Sequence, residues 1–222
     1  MTHEEILQGL YDNTLIGNAP EVKDLTNQGL ADGMDPERML YEGLIPSLEE
    51  VGARFERGDF FVPEMLIAAR AMQGALDILR PLLAETGAKP IGTVVIGTVK
   101  GDVHDIGKNL VNIMLEGAGF TVHDLGVNVA PERFIEEVVK HEPDIVGFSA
   151  FLTTTMPMFK ANINALQKAG LRDRVIVMVG GAPVTQEYAD AVGADGYAAD
   201  ASTAVRMAKA LIEQQRNQAA AV

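Results

Sequence analysis

Three runs of apolar, mostly β-branched residues constrain the fold of this chain more than any other feature. They are Thr93–Ile96, Asp144–Phe148 and Val175–Val179. Strands that are apolar at nearly every position are typical of a parallel sheet that is buried on both faces. Weaker strands are predicted at Phe120–Val122 and Gly196–Ala198, and helical stretches alternate with the strands at about 106–118, 131–141, 155–170, 185–192 and 201–216. This alternation predicts an α/β domain with a doubly wound, five-stranded parallel sheet, of the Rossmann-like or flavodoxin-like kind.

The first part of the chain follows a different pattern. From residue 2 to about 86, apolar residues recur every three to four positions without β-branched runs, as in amphipathic helices. Helix stop and start signals lie at Asn18–Pro20, Gly33–Pro36 and Gly58–Asp59. We therefore expect a bundle of four short antiparallel helices, the third kinked or split at Pro46. A linker at 87–92 follows, so the predicted domains are 1–88 and 89–222.

Charge and composition exclude several functional classes. The 222 residues include 18 Lys and Arg against 31 Asp and Glu, a net charge of −13. Such a surface repels polyphosphates and anionic lipids, so no nucleic acid or membrane is expected as a partner. No apolar run reaches the roughly 18 residues of a membrane helix and no signal pattern precedes the first helix, so we expect a cytoplasmic protein. Without cysteine, any metal must be held by histidine, carboxylates or a cofactor's own ligands.

Ligands of open parallel sheets bind outside the carboxyl ends of the strands. Three loops should meet there, at residues 97–107, 149–155 and 180–183. The first contains His104 two residues after Asp102. A histidine that binds a metal usually donates its other ring N–H to a carboxylate, so His104 is a candidate metal ligand with Asp102 as its partner. The alternative is a solvated histidine in a loop. Phosphate binding by the glycines is a weaker interpretation, because neither G-x-G-x-x-G nor the Lys-Ser/Thr ending of a P-loop is present.

The combined spacing of these motifs resembles a known signature. Asp102-x-His104-x-x-Gly107, 41 residues, Ser149-x-Phe151, 28 residues and Gly180-Gly181 follow one another. This order is similar to that of cobalamin-binding domains that bind the cofactor base-off, with a protein histidine on cobalt; Phe151 replaces the usual leucine. The segment from Val51 to Pro63 resembles the cap of methionine synthase and of the free-standing corrinoid proteins of methyltransferase systems. The resemblance covers about residues 2 to 213.

The resemblance implies a role for each matched residue. His104 would be the lower axial ligand of cobalt, Asp102 would accept its other ring N–H, and Thr155 would bind Asp102. The remaining cofactor-binding residues would be Gly101, Val103, Asp105 and Gly107 below the corrin, Ser149, Thr153, Gly180, Gly181 and Ala201 around the nucleotide tail, and Glu42, Phe55 and Val62 in the cap. Packing in the bundle core is the alternative for Phe55 and Val62, and ordinary strand-end or capping positions are the alternative for Ser149 and Thr155.

The resemblance also implies a function. The chain would carry a methyl group on the cobalt of cobalamin, as methylcobalamin, from a substrate-specific methyltransferase to a second methyltransferase that serves a folate, pterin or thiol acceptor. A reductive activase would restore oxidised cofactor, and the linker at 87–92 would be a hinge. The chain is too short to contain either enzyme, so it would not be a complete catalyst. Methylamines, methanol, aromatic methyl ethers and betaines stay open as donors, as does the oligomeric state.

Three other functions fit parts of the pattern. The small subunit of an adenosylcobalamin mutase shares the Asp-x-His domain but has no use for a methyl-capping bundle. A cobalamin sensor would need an output module, such as a DNA-binding helix-turn-helix with a basic face. A phosphoacceptor receiver domain would need an aspartate at the end of the third strand, where this chain has Ser149.

Overall fold

The chain folds into two units. The structure is a computed structural model that describes residues 1–86 and 90–220. Its contacts divide the chain into a helical unit, Met1–Lys89 with Glu116–Gly119, and a sheet unit, Pro90–Leu115 with Phe120–Val222. Residues 87–89, half of the predicted hinge, lie outside the described residues.

Within residues 1–86 the helical unit has four helical runs, as the periodicity predicts. The helices are α1 (His3–Leu15), α2 (Ala19–Ala31), α3 (Pro36–Arg38), α4 (Ile45–Glu56) and α5 (Val62–Thr86). A π-helical turn at Met39–Leu44 joins α3 to α4, so these two form one run. Because Pro46 has no amide hydrogen for the helical ladder, the irregular turn lies directly before it, where the sequence predicts a kink or a break.

Within residues 90–220 the sheet unit has five parallel strands, again as predicted. The strands are β1 (Thr93–Thr98), β2 (Thr121–Asp124), β3 (Ile145–Ser149), β4 (Ile176–Gly180) and β5 (Gly196–Ala198), in the order β2-β1-β3-β4-β5. The helices are α6 (Ile106–Gly117), α7 (Pro131–His141), α8 (Pro157–Lys168), α9 (Gln186–Val192) and α10 (Ala201–Ala220). The chain runs outward from β1 to β2 and then crosses to β3, so the topological switch point lies between β1 and β3.

The core of the sheet unit explains why these segments are strands. Every residue from Val94 to Thr98 of β1 is buried, and so are the first four residues of β3 and of β4. Phe148 of β3 packs edge-on against Phe134 of α7, with ring centroids 4.8 Å apart. The interior therefore consists of apolar side chains. The polar residues Thr98 and Ser149 come at the carboxyl ends of β1 and β3, at the edge of the sheet.

The last helix of the chain is longer than the sequence predicts. The helix α10 ends at Ala220, four residues later than predicted, and Arg216, the last residue of the predicted stretch, donates a hydrogen bond to the carbonyl of Ile91 at 2.8 Å. Across residues 1–86 and 90–220, no helix is both long enough and apolar enough to span a membrane.

Candidate functional site

The loop between β1 and α6 carries the candidate metal ligand. Gly101 has a φ of +86°, a conformation that glycine adopts at low cost, and it turns the chain directly before Asp102. The amide of Asp102 then donates to the carbonyl of Val99 at 3.1 Å. Thr98, at the end of β1, donates its hydroxyl to the carbonyl of His104 at 3.1 Å. The loop is therefore held at both ends by the strand from which it emerges.

Asp102 holds His104 through one carboxylate oxygen. Oδ1 of Asp102 lies 2.7 Å from Nδ1 of His104 and accepts the backbone N–H of His104 at 3.1 Å. An ionised carboxylate can only accept hydrogen bonds, so Nδ1 carries the hydrogen and Nε2 is the nitrogen left for a ligand. Among the described residues, Nε2 has no hydrogen-bond partner. The imidazole is thus oriented and has one nitrogen free.

The other carboxylate oxygen of Asp102 binds the loop that follows β3. Oδ2 accepts the backbone N–H groups of Phe151 at 2.8 Å and Leu152 at 3.1 Å, and the hydroxyl of Thr155 at 2.7 Å. The Asp102 side chain is completely buried, whereas 46% of the His104 side chain is exposed. The carboxylate therefore joins two loops below an accessible imidazole.

These hydrogen bonds determine the protonation state of Asp102. Burial of the carboxyl raises its pKa, but the hydrogen bonds from Thr155 and His104 outweigh burial, and the pKa of Asp102 is lowered well below its usual range. Asp102 is consequently a carboxylate at neutral pH and an acceptor for both loops.

Apolar side chains surround His104 and face solvent. Val103 is 67% exposed, Ile106 is 76% exposed and Phe151 is 50% exposed. The Phe151 ring stacks on the His104 imidazole, with centroids 4.5 Å apart and planes inclined by 28°. Exposed apolar side chains beside an oriented ligand nitrogen favour a flat, largely apolar ligand at this edge of the sheet.

Two of the predicted glycines differ in what they tolerate. A Cβ atom at Gly107 would meet no other atom within 4 Å, so this position is open. A Cβ atom at Gly181, whose φ is +134°, would lie within 2 Å of the carbonyl oxygen of Ala150. Gly181 is therefore required by the packing of its own chain, while the absence of a side chain at Gly107 leaves space beside the loop. Gly180 is half-buried at the end of β4.

The remaining predicted residues of the sheet unit lie at the carboxyl ends of strands. Ser149 ends β3 and is half-buried, and Thr153 is exposed in the loop that follows. Ala201 is buried at the start of α10, after β5. Asp105 lies between His104 and the start of α6 and is half-exposed. Asp102 joins the loop after β1 to the loop after β3 by hydrogen bonds. The position of Ala201 is instead determined by β5, the strand that precedes it.

The predicted cap residues belong to the helical unit. Phe55 is partly exposed in the last turn of α4, and Val62 is 41% exposed at the first position of α5. Gly58, with a φ of +78°, makes the turn between these helices. Glu42 lies in the π-helical turn and accepts a hydrogen bond from Nε of Arg38 at 2.9 Å. Contact of these residues with a cofactor stays a prediction.

Two interactions near the site were not predicted from the sequence. Asn128, with a φ of +55°, accepts the N–H of Gly101 on Oδ1 at 2.8 Å and donates its own N–H to the carbonyl of Asp102 at 2.9 Å. Lys108 has a fully buried side chain, and its Nζ lies 2.6 Å from both carboxylate oxygens of Asp124. Asn128 lies between the predicted second strand and the helix predicted at 131–141, outside the three loops that are expected to meet at the site, and no local signal distinguishes it.

The donor set limits the kind of metal that the site can hold. Within the part of the chain that the structure describes, no group of three or more His, Cys, Asp or Glu side chains could bind a metal ion. His104 can supply one nitrogen, so a metal bound there must bring its remaining ligands with it. A metal in a planar macrocycle meets this condition, and the exposed apolar side chains around His104 suit such a ligand.

Comparisons with known proteins agree with this geometry. Residues 92–206 match a family model described as a B12 binding domain, and residues 6–80 match a second model with that description. The dimethylamine corrinoid protein of Methanosarcina barkeri is 44% identical over 96% of this chain and 100% of its own length. Trimethylamine corrinoid protein 2 of Methanosarcina acetivorans is 42% identical over 95% of this chain and 98% of its own.

A solved structure shares the architecture of both units. It is the methanol:cobalamin methyltransferase complex MtaBC from Methanosarcina barkeri, with a TM-score of 0.83 and 29% identity, covering 96% of this chain and 81% of the matched chain. The family matches span both the helical and the sheet unit, so the cofactor of this protein is a cobalamin, with cobalt as its metal. The chain belongs to the corrinoid proteins of cobalamin-dependent methyltransferase systems.

Proposed function

We propose that this protein carries a methyl group between two methyltransferases, the first specific for the methyl donor and the second delivering the group to a folate, pterin or thiol. One observation carries the proposal: an imidazole oriented by a buried carboxylate presents a free nitrogen at the switch point of a domain that belongs to a cobalamin-binding family. When bound, the cofactor supplies the cobalt on which the methyl group travels.

In this proposal the chain's own residues fix the lower side of the cofactor. His104 would offer its Nε2 lone pair to the cobalt, and Asp102 keeps the hydrogen on Nδ1 through the 2.7 Å contact. Thr155 holds the opposite oxygen of the carboxylate, so that Asp102 cannot turn away from His104. Partners of this kind typically change metal affinity about 10- to 100-fold when they are removed.

The other predicted residues would accommodate the rest of the cofactor. Gly101, Val103, Asp105 and Gly107 would border the corrin, and the open space at Gly107 supports this assignment. Ser149, Thr153, Gly180, Gly181 and Ala201 would line the path of the nucleotide tail. The hydroxyls of Ser149 and Thr153 make no hydrogen bond to any other described residue, so both groups are available to a ligand.

Methylated amines are the donor class that the relatives support best. Proteins named for dimethylamine and trimethylamine are 44% and 42% identical to this chain, whereas the protein from the methanol system is 29% identical. We infer that the first partner is a methylamine:corrinoid methyltransferase. A reductive activase would be a third partner, because reduced cobalt is oxidised adventitiously.

Reconstitution with hydroxocobalamin tests the proposal. We expect the wild type to retain the cofactor on gel filtration with an absorption spectrum that His104→Ala changes. His3→Ala is the matched control, since His3 lies partly exposed at the start of α1, and its one hydrogen-bond contact among the described residues is with the carbonyl of Asp32. Loaded and reduced protein should then accept methyl groups from dimethylamine or trimethylamine in the presence of the cognate methyltransferase. A wild type that stays colourless, or that has the spectrum of His104→Ala, would contradict the proposal.

A further inference from the structure

We propose that Phe151 is a positioning residue, whose ring sets the direction in which Nε2 of His104 points. The inference deepens the proposed function and rests on it. Its basis is the stacked contact between the two rings, with centroids 4.5 Å apart and planes inclined by 28°.

The hydrogen bond to Asp102 fixes the tautomer of His104 and the position of one ring nitrogen, but it does not fix the inclination of the ring plane. The contact between Nδ1 of His104 and Oδ1 of Asp102 holds one ring atom, and the ring can still pivot about that contact. A second contact on the face of the ring removes this freedom. The Phe151 ring supplies that contact, and offset or tilted aromatic pairs at such distances attract one another.

Phe151 is itself anchored to the same carboxylate. Its backbone N–H donates to Oδ2 of Asp102 at 2.8 Å, while Oδ1 of that carboxylate binds His104. The backbone bond places the Cα atom of Phe151 at a fixed distance from the imidazole, and the side chain then closes over the imidazole face. Substitution of the side chain leaves the backbone bond in place, so the effect of the ring can be measured separately.

The ring is not needed for the core of the sheet unit. Phe151 is 50% exposed, whereas Phe148, three residues earlier, is 2% exposed and packs against Phe134. Among the described residues, Phe151 is not one of the side chains that form or pack against the buried core of the sheet unit, and its ring stacks on the candidate ligand. A leucine at this position would preserve apolar bulk but has no flat face to lie against an imidazole.

Three variants test the inference, first in the cofactor-free protein. In wild type and in Phe151→Tyr, ring-current shielding should move the carbon-bound protons of His104 upfield in the NMR spectrum. In Phe151→Leu and Phe151→Ala these protons should shift downfield, both variants in the same direction although they differ in bulk. Unchanged His104 shifts in Phe151→Leu would overturn the inference without any reference to the cofactor.

The same variants are then titrated with hydroxocobalamin. We expect Phe151→Leu and Phe151→Ala to bind about two- to tenfold more weakly than wild type and to develop less of the histidine-ligated absorption, while Phe151→Tyr matches wild type. Equal affinity and equal spectra of Phe151→Leu and wild type would overturn the inference while leaving the proposed function intact. Failure of the wild type itself to bind would overturn both, so the two failures are distinguishable.

Discussion

Thr155 donates its hydroxyl to Oδ2 of Asp102 at 2.7 Å, the carboxylate oxygen that does not contact His104. The two oxygens of one buried carboxylate therefore serve different loops. Oδ1 accepts two hydrogen bonds from His104, and Oδ2 accepts three from the loop after β3. A substitution that removes one of these oxygens therefore removes the hydrogen bonds that hold one of the two loops.

Asp102→Asn should separate these two functions. An asparagine has one accepting oxygen and an NH₂ group, so either the donors of His104 or those of the β3 loop must face hydrogen atoms. We expect the affinity for hydroxocobalamin to fall about 10- to 100-fold, measured by spectral titration. Asp173→Asn, at an exposed residue of the 3₁₀ turn before β4, is the matched control. Equal affinity of Asp102→Asn and wild type would contradict the assigned role.

The lowered pKa of Asp102 predicts an effect of pH on stability. Hydrogen bonds from Thr155 and His104 more than offset the effect of burial, so the folded protein releases this proton at lower pH than the unfolded chain does, for which the pKa is about 3.9. The ionised carboxylate thus stabilises the folded state above about pH 4, and this contribution disappears as the pH falls further. Asp102→Asn lacks it. Its free energy of unfolding should fall less than that of wild type between about pH 5 and pH 3, and parallel pH curves would contradict this prediction.

Substitutions of Thr155 should separate the contribution of its hydroxyl group to folding stability from the contribution of its size. Thr155→Val keeps the volume but removes a hydrogen bond to a charged acceptor, which is worth about 1.5–3 kcal/mol. Thr155→Ser keeps the hydroxyl and should cost less than about 1 kcal/mol for the missing methyl group. Urea unfolding of the cofactor-free protein measures both, with Thr154→Val at the adjacent exposed residue as control. If Thr155→Ser were as unstable as Thr155→Val, packing rather than the hydrogen bond would determine stability here.

Asn128 should control the local stability of the histidine loop. Asn128→Gly keeps the left-handed backbone but removes the oxygen that accepts the N–H of Gly101, whereas Asn128→Asp keeps an acceptor. We expect the Gly101 amide to exchange with solvent about two- to tenfold faster in Asn128→Gly and not in Asn128→Asp. The Gly126 amide, which donates to Asp124, is an internal control in the same spectra. Equal Gly101 exchange in all three proteins would show that Asn128 does not support the loop.

Lys108 and Asp124 form a pair that should respond unequally to substitution. The Lys108 side chain is fully buried and that of Asp124 is 37% exposed, so Asp124→Ala leaves a buried ammonium without its carboxylate. We expect a loss near the low end of the range for broken buried pairs, about 3 kcal/mol, and a much smaller loss for Lys108→Met. Glu136→Ala breaks the exposed pair with Arg133 and should cost at most about 1 kcal/mol. Thermal unfolding orders the three variants, and equal losses for Asp124→Ala and Lys108→Met would contradict the argument.

The sheet could be predicted from local patterns because its three central strands, β1, β3 and β4, are apolar over most of their length. The end of β1 shows where such patterns fail. The apolar run ends at Ile96, and Gly97-Thr98 has the composition of a loop, yet both residues pair with β3. A Cβ atom at Gly97 would lie 3.0 Å from atoms of both Phe134 and Val129. The glycine therefore permits close packing within the strand, which only the tertiary structure reveals.

The candidate site was predictable only where its residues are close in sequence or part of a known signature. Asp102 and His104 are two residues apart, and their contact follows from the spacing. Asn128 reaches Gly101 across 27 positions, and Lys108 reaches Asp124 across 16. These contacts depend on the position of β2 beside β1, so nothing in the sequence around Asn128 or Asp124 distinguishes them from ordinary polar loop residues.

Two glycine substitutions separate the binding of the cofactor from the stability of the chain. A Cβ atom at Gly107 meets no atom within 4 Å, and the residue lies in the first turn of α6, so Gly107→Ala should leave stability unchanged or raise it by up to about 1 kcal/mol. If the corrin borders this turn, the added methyl group would occupy space that the corrin needs, and the affinity for hydroxocobalamin should fall about tenfold.

Gly181→Ala should show the opposite pattern, because its Cβ atom would overlap the carbonyl oxygen of Ala150 and its φ is +134°. We expect it to lose about 3 kcal/mol or more of folding free energy, measured by urea unfolding without cofactor. Gly107→Ala that binds as tightly as wild type would remove the start of α6 from the cofactor site. Because the same protein would remain fully folded, that result would bear on the location of the cofactor and not on the integrity of the sheet unit.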